Sequence, residues 1–255
     1  MKALILAGGY GTRLWPLTKD KPKPLLPVAG KPVIEYLLEK IVEINVSEII
    51  ISTNIRFQEN FEKYLSQMSL TNIRLVVEPS RSENEKLGAV RALANLAPKI
   101  DDDCLIAAGD NIFTSSFKGL VWKFNHSHLP LVGLYNLENF ELVKRYSAVV
   151  LGSGGKIVHF SEKPKEPKTT LIGTCLYLFP RRTLHRLNEY VNRGLDCDAP
   201  GNFIKWLSKK EAVQGFVLTG IWYDIGDMNT YQEANKYFST LTTKKNERLI
   251  RNPFK

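Results

Sequence analysis

Hydrophobic residues in the first half of the chain follow two alternating patterns. Short apolar runs rich in β-branched side chains are typical of buried strands, and between them lie longer segments with apolar residues at helical spacing. One such segment follows Pro32, which occupies a position that a helix tolerates in its first turn. These patterns predict strands at residues 3–7, 47–53, 73–77, 103–108 and 129–134, and helices at residues 33–44, 56–68, 85–96 and 115–125. Strands that alternate with helices in this way indicate a mostly parallel sheet with helices on both faces.

The pattern changes after Tyr146. Shorter strand-like segments replace the strand–helix repeat, and we interpret them as an antiparallel extension of the same sheet. The predicted strands are residues 148–151, 156–161, 169–179, 213–218 and 222–223, and the predicted helices are residues 181–191, 202–209 and 227–240. The expected fold class is therefore α/β, with a Rossmann-like sheet that is mostly parallel or mixed. We expect one domain over residues 1–240, divided near residue 137, and a basic tail over residues 241–255.

The chain carries a strong positive charge. It has 255 residues, 44% of them hydrophobic and 24% charged, with a formal net charge of +9 and a pI near 9.3. Such an excess suits nucleic acid, an acidic membrane surface or small phosphorylated molecules as partners. Basic residues cluster near glycine-rich turns, which favours small phosphates, and aromatic residues are not interleaved with a basic stripe. We therefore expect no nucleic-acid partner.

The sequence also lacks the marks of a membrane or secreted protein. No apolar stretch approaches the roughly 18 residues of a membrane-spanning helix. Met1 and Lys2 are followed directly by a predicted strand, unlike the start of a signal peptide. The three cysteines are too few and too scattered for a disulfide framework or a zinc site. These features predict a cytoplasmic protein without a membrane partner.

A glycine-rich loop follows the first predicted strand and is the main candidate for a binding site. Gly8, Gly9 and Gly11 let the backbone approach a ligand closely, and successive N–H groups of such a loop form an anion-binding concavity. Arg13 can add a bidentate phosphate contact. The loop lacks the Gly-Lys-Ser/Thr ending of a P-loop, and Leu14 replaces the third glycine of the dinucleotide motif. A purely structural turn is the alternative, and the lysines behind the loop favour a polyphosphate site.

Two aspartates follow short apolar strands. Asp110 lies in the string Gly-Asp-Asn, and Asp224 lies in Trp-Tyr-Asp-Ile-Gly. At the carboxyl end of a strand, such a carboxylate is well placed for Mg²⁺, which prefers oxygen ligands and shares them with substrate phosphates. Each aspartate could equally cap a following helix, and the residues alone favour neither interpretation.

The string LAGGYGTRL, followed by Pro16, Thr18 and KPLLP, resembles the signature of the sugar-1-phosphate nucleotidyltransferases, also called nucleotide-sugar pyrophosphorylases. Gly-Asp-Asn-Ile-Phe and the general proportions look most like the glucose-1-phosphate thymidylyltransferases of that family. The resemblance implies that Arg13 and Lys23 hold the triphosphate and stabilise the reacting phosphate, and that Asp110 and Asp224 hold a catalytic Mg²⁺. The nucleotide-binding residues that it implies around the loop are Leu6, Ala7, Gly8, Gly9, Gly11 and Thr12.

The same resemblance assigns the two substrates to the two halves of the domain. Glu78 and Gly88 look like the base-recognition residues, within a nucleotide-binding half formed by residues 1–137. The string Ser-Glu-Lys-Pro that contains Glu162 resembles the Glu-Lys-Pro of the sugar-phosphate site, within a sugar-binding half formed by residues 138–240. The implied sugar-phosphate-binding residues are Tyr146, Glu162, Lys163, Gly173 and Tyr177.

These residues together imply Mg²⁺-dependent transfer of a nucleotidyl group from a nucleoside triphosphate to a sugar 1-phosphate, with release of pyrophosphate. dTTP or UTP and glucose 1-phosphate are the favoured substrates. The alternatives are a cytidylyl- or guanylyltransferase for another phosphorylated sugar or alcohol, and a regulatory homologue that binds nucleotide sugar without turnover. Such a homologue would be expected to lose Arg13, Lys23, Asp110 or Asp224, and all four are present. A homo-oligomer is compatible with the resemblance.

Overall fold

A central mixed β-sheet with helices on both faces organises the chain, which confirms the predicted fold class. The computed structural model describes the backbone of residues 1–251 and the side chains of residues 1–241. Its strands are β1 (Lys2–Leu6), β2 (Pro27–Val28), β3 (Lys31–Pro32), β4 (Ile49–Asn54), β5 (Ile73–Glu78), β6 (Cys104–Ala108), β7 (Asn111–Phe113), β8 (Leu131–Asn136), β9 (Ser147–Leu151), β10 (Ile157–Glu162), β11 (Leu171–Phe179), β12 (Gln214–Val217) and β13 (Trp222–Asp224). Its helices are α1 (Val33–Val42), α2 (Gln58–Leu65), α3 (Ala89–Leu96), α4 (Lys118–Ser127), α5 (Phe140–Val143), α6 (Arg181–Asn192), α7 (Pro200–Leu207) and α8 (Met228–Arg251). None of the helices in this described part combines the length and the apolar character needed to cross a bilayer.

The early strands form the parallel part of the sheet. β1 lies between β4 and β6, and β5 continues the sheet beyond β4. In register, Ile5 lies opposite Ile51 of β4 and Ala107 of β6. β1, β4 and β6 are largely buried on both faces, which explains why their sequences are continuous apolar runs. The predicted parallel centre of the sheet is thus present.

A long strand from the second half of the chain is inserted into this sheet. β11 lies antiparallel between β6 and β8, so β8 is not the neighbour of β6. β9 and β10 extend the sheet in antiparallel fashion, as predicted. β12 instead pairs in parallel with β8, which corrects the prediction that the second half is an antiparallel extension throughout.

The two faces of the sheet carry separate apolar cores. Ala3 and Ile5 of β1 pack in the core that contains residues of α1, α2 and α4. Leu4, between them, packs in the core that contains residues of α3, α6 and α7. Because successive side chains of a strand point to opposite faces, one short apolar strand contributes to both cores. The sheet is therefore anchored on both sides, and its carboxyl edge is left for the loops.

A third apolar cluster anchors the segment that follows the glycine-rich loop. Leu14 is fully buried and belongs to the same cluster as Val28, Ile112 and Phe238 of α8. Helix α8 therefore holds this segment in place. It continues to Arg251, so residues 241–251, which were predicted as a tail, are helical, and residues 252–255 lie outside the described residues.

Two differences from the predicted elements affect the candidate site. Helix α3 begins at Ala89 and not at residue 85, because Gly88 has a φ of +81° and Glu83–Glu85 form a separate 3₁₀ turn. The strand β7 was not predicted, and it pairs with β13 in a small antiparallel sheet. The 3₁₀ turn before Gly88 and the short strand β7 both lie near the carboxyl ends of the parallel strands.

Candidate active site

Two neighbouring cavities open at the carboxyl ends of the parallel strands, where ligands of open α/β sheets bind. We name them by the glutamate that lines each: the Glu78 cavity, of about 240 Å³, and the Glu162 cavity, of about 250 Å³. Asp110 and Cys175 line both cavities, so the two meet beyond the end of β6. A ligand in one cavity would therefore lie next to a ligand in the other.

The end of β1 and the glycines after it form one wall of the Glu78 cavity. Leu6, Gly8 and Gly9 line this cavity directly. Ala7 is buried, and its N–H donates to the carbonyl of Ser52, so Ala7 supports the wall from behind. Because glycines 8 and 9 carry no side chain, a ligand can contact the backbone at this wall.

A tight turn carries Arg13 from this loop toward the other cavity. Gly11 has a φ of +62°, and its carbonyl accepts a 2.7 Å hydrogen bond from the hydroxyl of Thr18. The 3₁₀ turn that follows buries Leu14 and leaves Thr12 and Arg13 exposed. Arg13 lines the Glu162 cavity, whereas Gly11 and Thr12 line neither of the two cavities. The structure therefore makes Arg13 the residue of this turn that an anionic ligand would meet.

Lys23 and Asp110 form an ion pair where the two cavities meet. Lys23 begins a short 3₁₀ turn, and its side chain is only 14% exposed. Burial lowers the pKa of Lys23, but the carboxylates of Asp110 and Asp224 raise this pKa by more, so the net shift is upward. The ammonium group therefore stays charged beside Asp110.

The two aspartates come together through the small sheet of β7 and β13. Asp224 of β13 pairs in register with Asn111, the residue after Asp110. Burial raises the pKa of Asp224 to about 6, and the negative charge of Asp110 adds to the increase. Because the negative charge of Asp110 disfavours the charged form of Asp224, a cation close to both carboxylates would stabilise the charged Asp224.

Hydrogen bonds fix the orientation of Asp110. The indole N–H of Trp222 donates to Asn111 Oδ1 at 2.6 Å, and the Asn111 amide donates to Asp110 Oδ1 at 2.9 Å. Neither Asp110 nor Asp224 caps a helix, because β7 follows the first and the carboxylate of Asp227 caps α8 by accepting from the Thr230 N–H at 3.0 Å. The helix-capping interpretation of the two aspartates is therefore wrong.

The donor set at the junction fits Mg²⁺. This cation usually takes one or two carboxylates from the protein and completes its shell with substrate phosphates and water. No group of three or more His, Cys, Asp or Glu residues that could hold a metal occurs in the part of the chain that the structure describes. Asp110 and Asp224 are thus the residues that could hold Mg²⁺, with further oxygen ligands from a phosphorylated substrate.

Polar residues at the end of β10 line the Glu162 cavity. Glu162 ends β10, and its carboxylate contacts the hydroxyl of Ser147. Gly201 lies against the same carboxylate and lacks the side chain that would collide with it. Lys163 lines the cavity, and its N–H donates to the carbonyl of Tyr146 at 3.0 Å. The cavity therefore offers a carboxylate for hydroxyl groups and an ammonium group for a phosphate.

Three more predicted residues line the wall of the Glu162 cavity. Tyr146 packs edge-on against Trp222, with ring centroids 5.2 Å apart. The pairing of β11 with β8 shifts register between Gly173 and Tyr177, which leaves an irregular strand at the cavity wall. Burial raises the pKa of Tyr177 well above its ordinary value, so its hydroxyl group stays neutral. All five residues predicted for the sugar phosphate therefore line one cavity.

The segment 195–201, which the sequence analysis did not single out, covers both cavities. The ammonium of Lys86 pairs with Asp198 at 2.9 Å, and Pro200 lines both cavities. The Val90 N–H donates to the carbonyl of Cys197 at 2.9 Å, which attaches the segment to the start of α3. The string Asp-Ala-Pro-Gly at residues 198–201 was the available signal, because proline and glycine mark a loop before a helix.

The sequence model of the nucleotidyl transferase family matches residues 2–240, nearly the whole described chain. The chain belongs to the nucleotidyl transferase family. The strings that carried the resemblance lie in the two cavities, at their junction and in the turn beside it.

Named relatives of this nucleotidyl transferase agree with that assignment. The bifunctional protein GlmU of Methanocaldococcus jannaschii is 30% identical over 242 residues, which are 93% of this chain and 54% of GlmU, so the chain spans about half of that relative. The UTP–glucose-1-phosphate uridylyltransferase AglF of Haloferax volcanii is 26% identical over 97% of this chain and 100% of its own length. A crystal structure from Bacillus anthracis, assigned as a glucose-1-phosphate thymidylyltransferase and complexed with a sucrose, has a TM-score of 0.82 and 26% identity, and covers 94% of this chain and 95% of its own.

The predicted site residues of this nucleotidyl transferase form two groups joined at Asp110. Glu78 and Gly88 line the Glu78 cavity with the residues after β1, and the sugar-site residues line the other cavity with Arg13 and Asp224. Lys23 reaches the junction through its ion pair with Asp110. The arrangement can hold two anionic ligands side by side and place positive charge where they meet.

Proposed function

We propose that this chain transfers a nucleotidyl group from a nucleoside triphosphate to a sugar 1-phosphate and releases pyrophosphate. The observation that carries the proposal is the junction of the two cavities, where the ammonium of Lys23 pairs with Asp110 and also feels the charge of Asp224. Arg13 and Asp224 both line the Glu162 cavity. Phosphoryl-type transfer depends on positioning and on charge neutralisation, and this group of two cations and two carboxylates provides both.

The two substrates follow from the two cavities. The small residues of the Glu78 cavity suit the nucleoside, whose phosphates would then reach Asp110 and Lys23. The Glu162 cavity suits the sugar phosphate, because Glu162 can accept hydrogen bonds from sugar hydroxyl groups and Lys163 can pair with the phosphate. We accordingly assign the nucleotide to residues 1–137 and the sugar to residues 138–240, with segment 195–201 covering both.

The reaction is an in-line displacement. An oxygen of the sugar phosphate attacks the α-phosphorus of the triphosphate and forms a new P–O bond. The bond between the α-phosphorus and the oxygen that bridges the α- and β-phosphates breaks, and pyrophosphate leaves with the electron pair of that bond. Lys163 holds the attacking phosphate, while Arg13 and Lys23 neutralise the charge that develops on the α-phosphoryl group and on pyrophosphate. Mg²⁺ at Asp110 and Asp224 would supply additional positive charge between the two anionic substrates.

The finer substrate assignment rests on resemblance. Motif similarity favours dTTP or UTP with glucose 1-phosphate, and AglF, whose name gives UTP and glucose 1-phosphate, is similar over its full length. A cytidylyl- or guanylyltransferase is the second candidate, because Glu78 places in the nucleoside cavity a carboxylate that accepts hydrogen bonds only. The cytoplasmic location and a homo-oligomeric state stay predictions from the sequence. No membrane or nucleic-acid partner is part of the proposal.

Pyrophosphate release in the presence of Mg²⁺ tests this proposal. dTTP, UTP, CTP, GTP and ATP are each combined with glucose, mannose, galactose and N-acetylglucosamine 1-phosphates. We expect release that requires one nucleotide, one sugar phosphate and Mg²⁺, and that stops in Asp224→Asn. Release without any sugar phosphate would indicate a hydrolase. No release from any pair, with nucleotide-sugar binding still detected by calorimetry, would support the regulatory homologue instead.

A further inference from the structure

The carboxylate of Glu78 is held at a fixed place in the Glu78 cavity. Glu78 ends β5, and its Oε1 atom accepts a 2.9 Å hydrogen bond from the hydroxyl of Ser52, a fully buried residue of β4. A side-chain carbon at Gly8 would lie 3.5 Å from Oε1 and 3.7 Å from Oε2, so the carboxylate packs flat beside the Gly8 backbone. Two strands and the loop after β1 therefore determine its position.

This carboxylate is available to a ligand. Within the described residues Glu78 has no ion-pair partner, because Lys86, the cation that lines the same cavity, pairs with Glu83 and Asp198. Burial raises the pKa of Glu78, and the Ser52 hydroxyl partly offsets this by donating to the carboxylate. A carboxylate has about four acceptor sites, so several remain open after the bond from Ser52.

The cavity around Glu78 has room for a planar ring system. Its other walls carry small residues from the glycine-rich loop and from the start of α3: Gly8, Gly9, Gly88, Ala89 and Ala92. Glycine lets a base lie against the backbone, and alanine adds a small apolar surface for the face of the ring. The hydrogen-bonding edge of a base in this space would be read by Glu78.

The nucleobases differ in what they offer an acceptor. Guanine presents two adjacent donors, N1–H and the N2 amino group, which match the two oxygens of a carboxylate in a bidentate contact. Cytosine and adenine present one amino group beside an acceptor nitrogen. Uracil and thymine present a single N3–H between two carbonyl oxygens, so a carboxylate that accepts from N3–H brings its other oxygen against a carbonyl oxygen.

We propose that Glu78 determines the base specificity of this chain and selects a guanine nucleotide over uracil and thymine nucleotides. The inference rests on the proposed function and deepens it, since it names the nucleotide. It replaces the preference for dTTP or UTP that motif resemblance suggested, because a fixed acceptor discriminates by hydrogen-bond pattern and motif similarity does not. CTP and ATP, with one donor each, fall between GTP and the other two.

The test compares kcat/KM for GTP and for UTP, at pH 7.5 and a fixed concentration of the sugar 1-phosphate that supports turnover. We expect the wild-type chain to prefer GTP by roughly 100-fold. Glu78→Gln keeps the shape but presents an amide N–H₂ beside a carbonyl oxygen, so we expect the ratio of GTP to UTP to fall by roughly 10- to 100-fold. Glu59→Gln is the matched control, because Glu59 is exposed on α2, lines neither cavity and loses the same charge.

Nucleotide binding without turnover separates the two proposals. Calorimetry with GDP and with UDP, in the absence of sugar phosphate, measures base preference even if no pyrophosphate is released. Tighter GDP binding that is lost in Glu78→Gln and kept in Glu59→Gln would support the role of Glu78 while the transfer reaction failed. Equal or weaker binding of GDP than UDP, a GTP-to-UTP ratio unchanged in Glu78→Gln, or no binding of either nucleotide would overturn the inference.

Discussion

The ammonium of Lys23 lies on the carboxylate of Asp110, at the place where the two cavities meet. The positive charge of this ammonium is offset by two negative charges, because Asp224 as well as Asp110 acts on Lys23 and raises its pKa. The ammonium of Lys23 thus interacts with the same two carboxylates that would attract a divalent metal ion. Lys23 and a metal ion would therefore compete for the charge of the aspartates while both favour the transition state.

Lys23→Met separates these two effects. Removing a positive charge next to the aspartates increases their attraction for Mg²⁺, and a unit charge about 4 Å from another is worth ~4 kcal/mol at an effective dielectric constant of 20. We expect Mg²⁺ alone to bind at least tenfold more tightly by calorimetry, while the rate of pyrophosphate release falls by about 10²-fold or more. Lys205→Met, at an exposed position of α7, should change neither quantity. Weaker Mg²⁺ binding in Lys23→Met would show that Lys23 supports the metal site.

Arg13 and Asp110 should differ in their effects on stability although both are needed for turnover. We expect Arg13→Ala and Asp110→Ala each to reduce kcat by about 10²–10³, as for loss of one preorganised contact, or ~2.7–4 kcal/mol. Arg13 is exposed, so its removal should leave the free energy of unfolding within about 0.5 kcal/mol. Asp110→Ala removes the ion-pair partner of Lys23, so we expect a loss of about 1–3 kcal/mol in urea unfolding. Arg91→Ala, exposed on α3, is the control for loss of a positive charge. Equal stability of the two site variants would mean that Asp224 alone suffices for Lys23.

The sequence could predict the parts of this fold that depend on local pattern. Continuous apolar runs identified β1, β4 and β6, because parallel strands buried on both faces need such runs. The loop with Gly8 and Arg13 could be singled out as a candidate site because phosphate binding by backbone N–H groups requires glycines, and basic residues lie close to them in the sequence. Both features are encoded within a few consecutive residues.

Features that depend on distant contacts were not predicted. The insertion of β11 between β6 and β8 is decided by pairing between strands that are distant in sequence, which no local periodicity reports. The string Asp-Ala-Pro-Gly marks segment 195–201 only as a loop before a helix, and its place at the site appears only when α3 and Glu162 are seen against it. The hydrogen bond by which Ser52 holds the carboxylate of Glu78 likewise appears only when β4 and β5 are side by side.

Alanine at Gly201 should affect the sugar phosphate, whereas alanine at Gly88 should affect the fold. The added carbon of Gly201→Ala meets the end of the Glu162 side chain, which can move, so we expect little loss of stability. We expect KM for the sugar phosphate to rise by roughly tenfold and KM for the nucleotide to stay unchanged, because a displaced Glu162 loses about one charged hydrogen bond. Steady-state kinetics with each substrate varied in turn measures both.

Gly88→Ala is the matched comparison on the other side of the junction. Its added carbon would lie 2.6 Å from the carbonyl oxygen of Cys197, and Gly88 has a φ of +81°. The backbone of Cys197 cannot move aside as a side chain can, and a non-glycine residue held in this positive-φ, extended conformation costs about 1–3 kcal/mol. We expect a lower midpoint of urea unfolding and weaker nucleotide binding. A rise in KM for the nucleotide in Gly201→Ala, or unchanged stability in Gly88→Ala, would contradict this division.

Asp227 should give the chain a stability that disappears in acid. Its carboxylate caps α8 by accepting from the Thr230 N–H and also pairs with Arg145, which lines the Glu162 cavity. Burial raises the pKa of Asp227, but the hydrogen bonds from Thr230 and Arg145 lower it below 3.8, the value for an unperturbed aspartate. A carboxyl group with a lowered folded-state pKa stabilises the fold above its unfolded-state pKa, and this contribution is lost as the pH falls through both values.

Asp227→Ala and Asp227→Asn test the two contributions of this carboxylate. At pH 7 we expect the alanine variant to lose about 1 kcal/mol or more in urea unfolding, because both the cap and the ion pair are absent. The asparagine variant keeps a capping oxygen and should lose less at pH 7. As the pH falls through 3.8, the unfolded-state value, and then through the lower folded-state pKa, the carboxylate of the wild-type chain becomes protonated, so the difference between wild type and each variant should shrink over that range. A difference that stays constant over this range would show that the charge of Asp227 contributes nothing, and that the side chain acts through its hydrogen bonds alone.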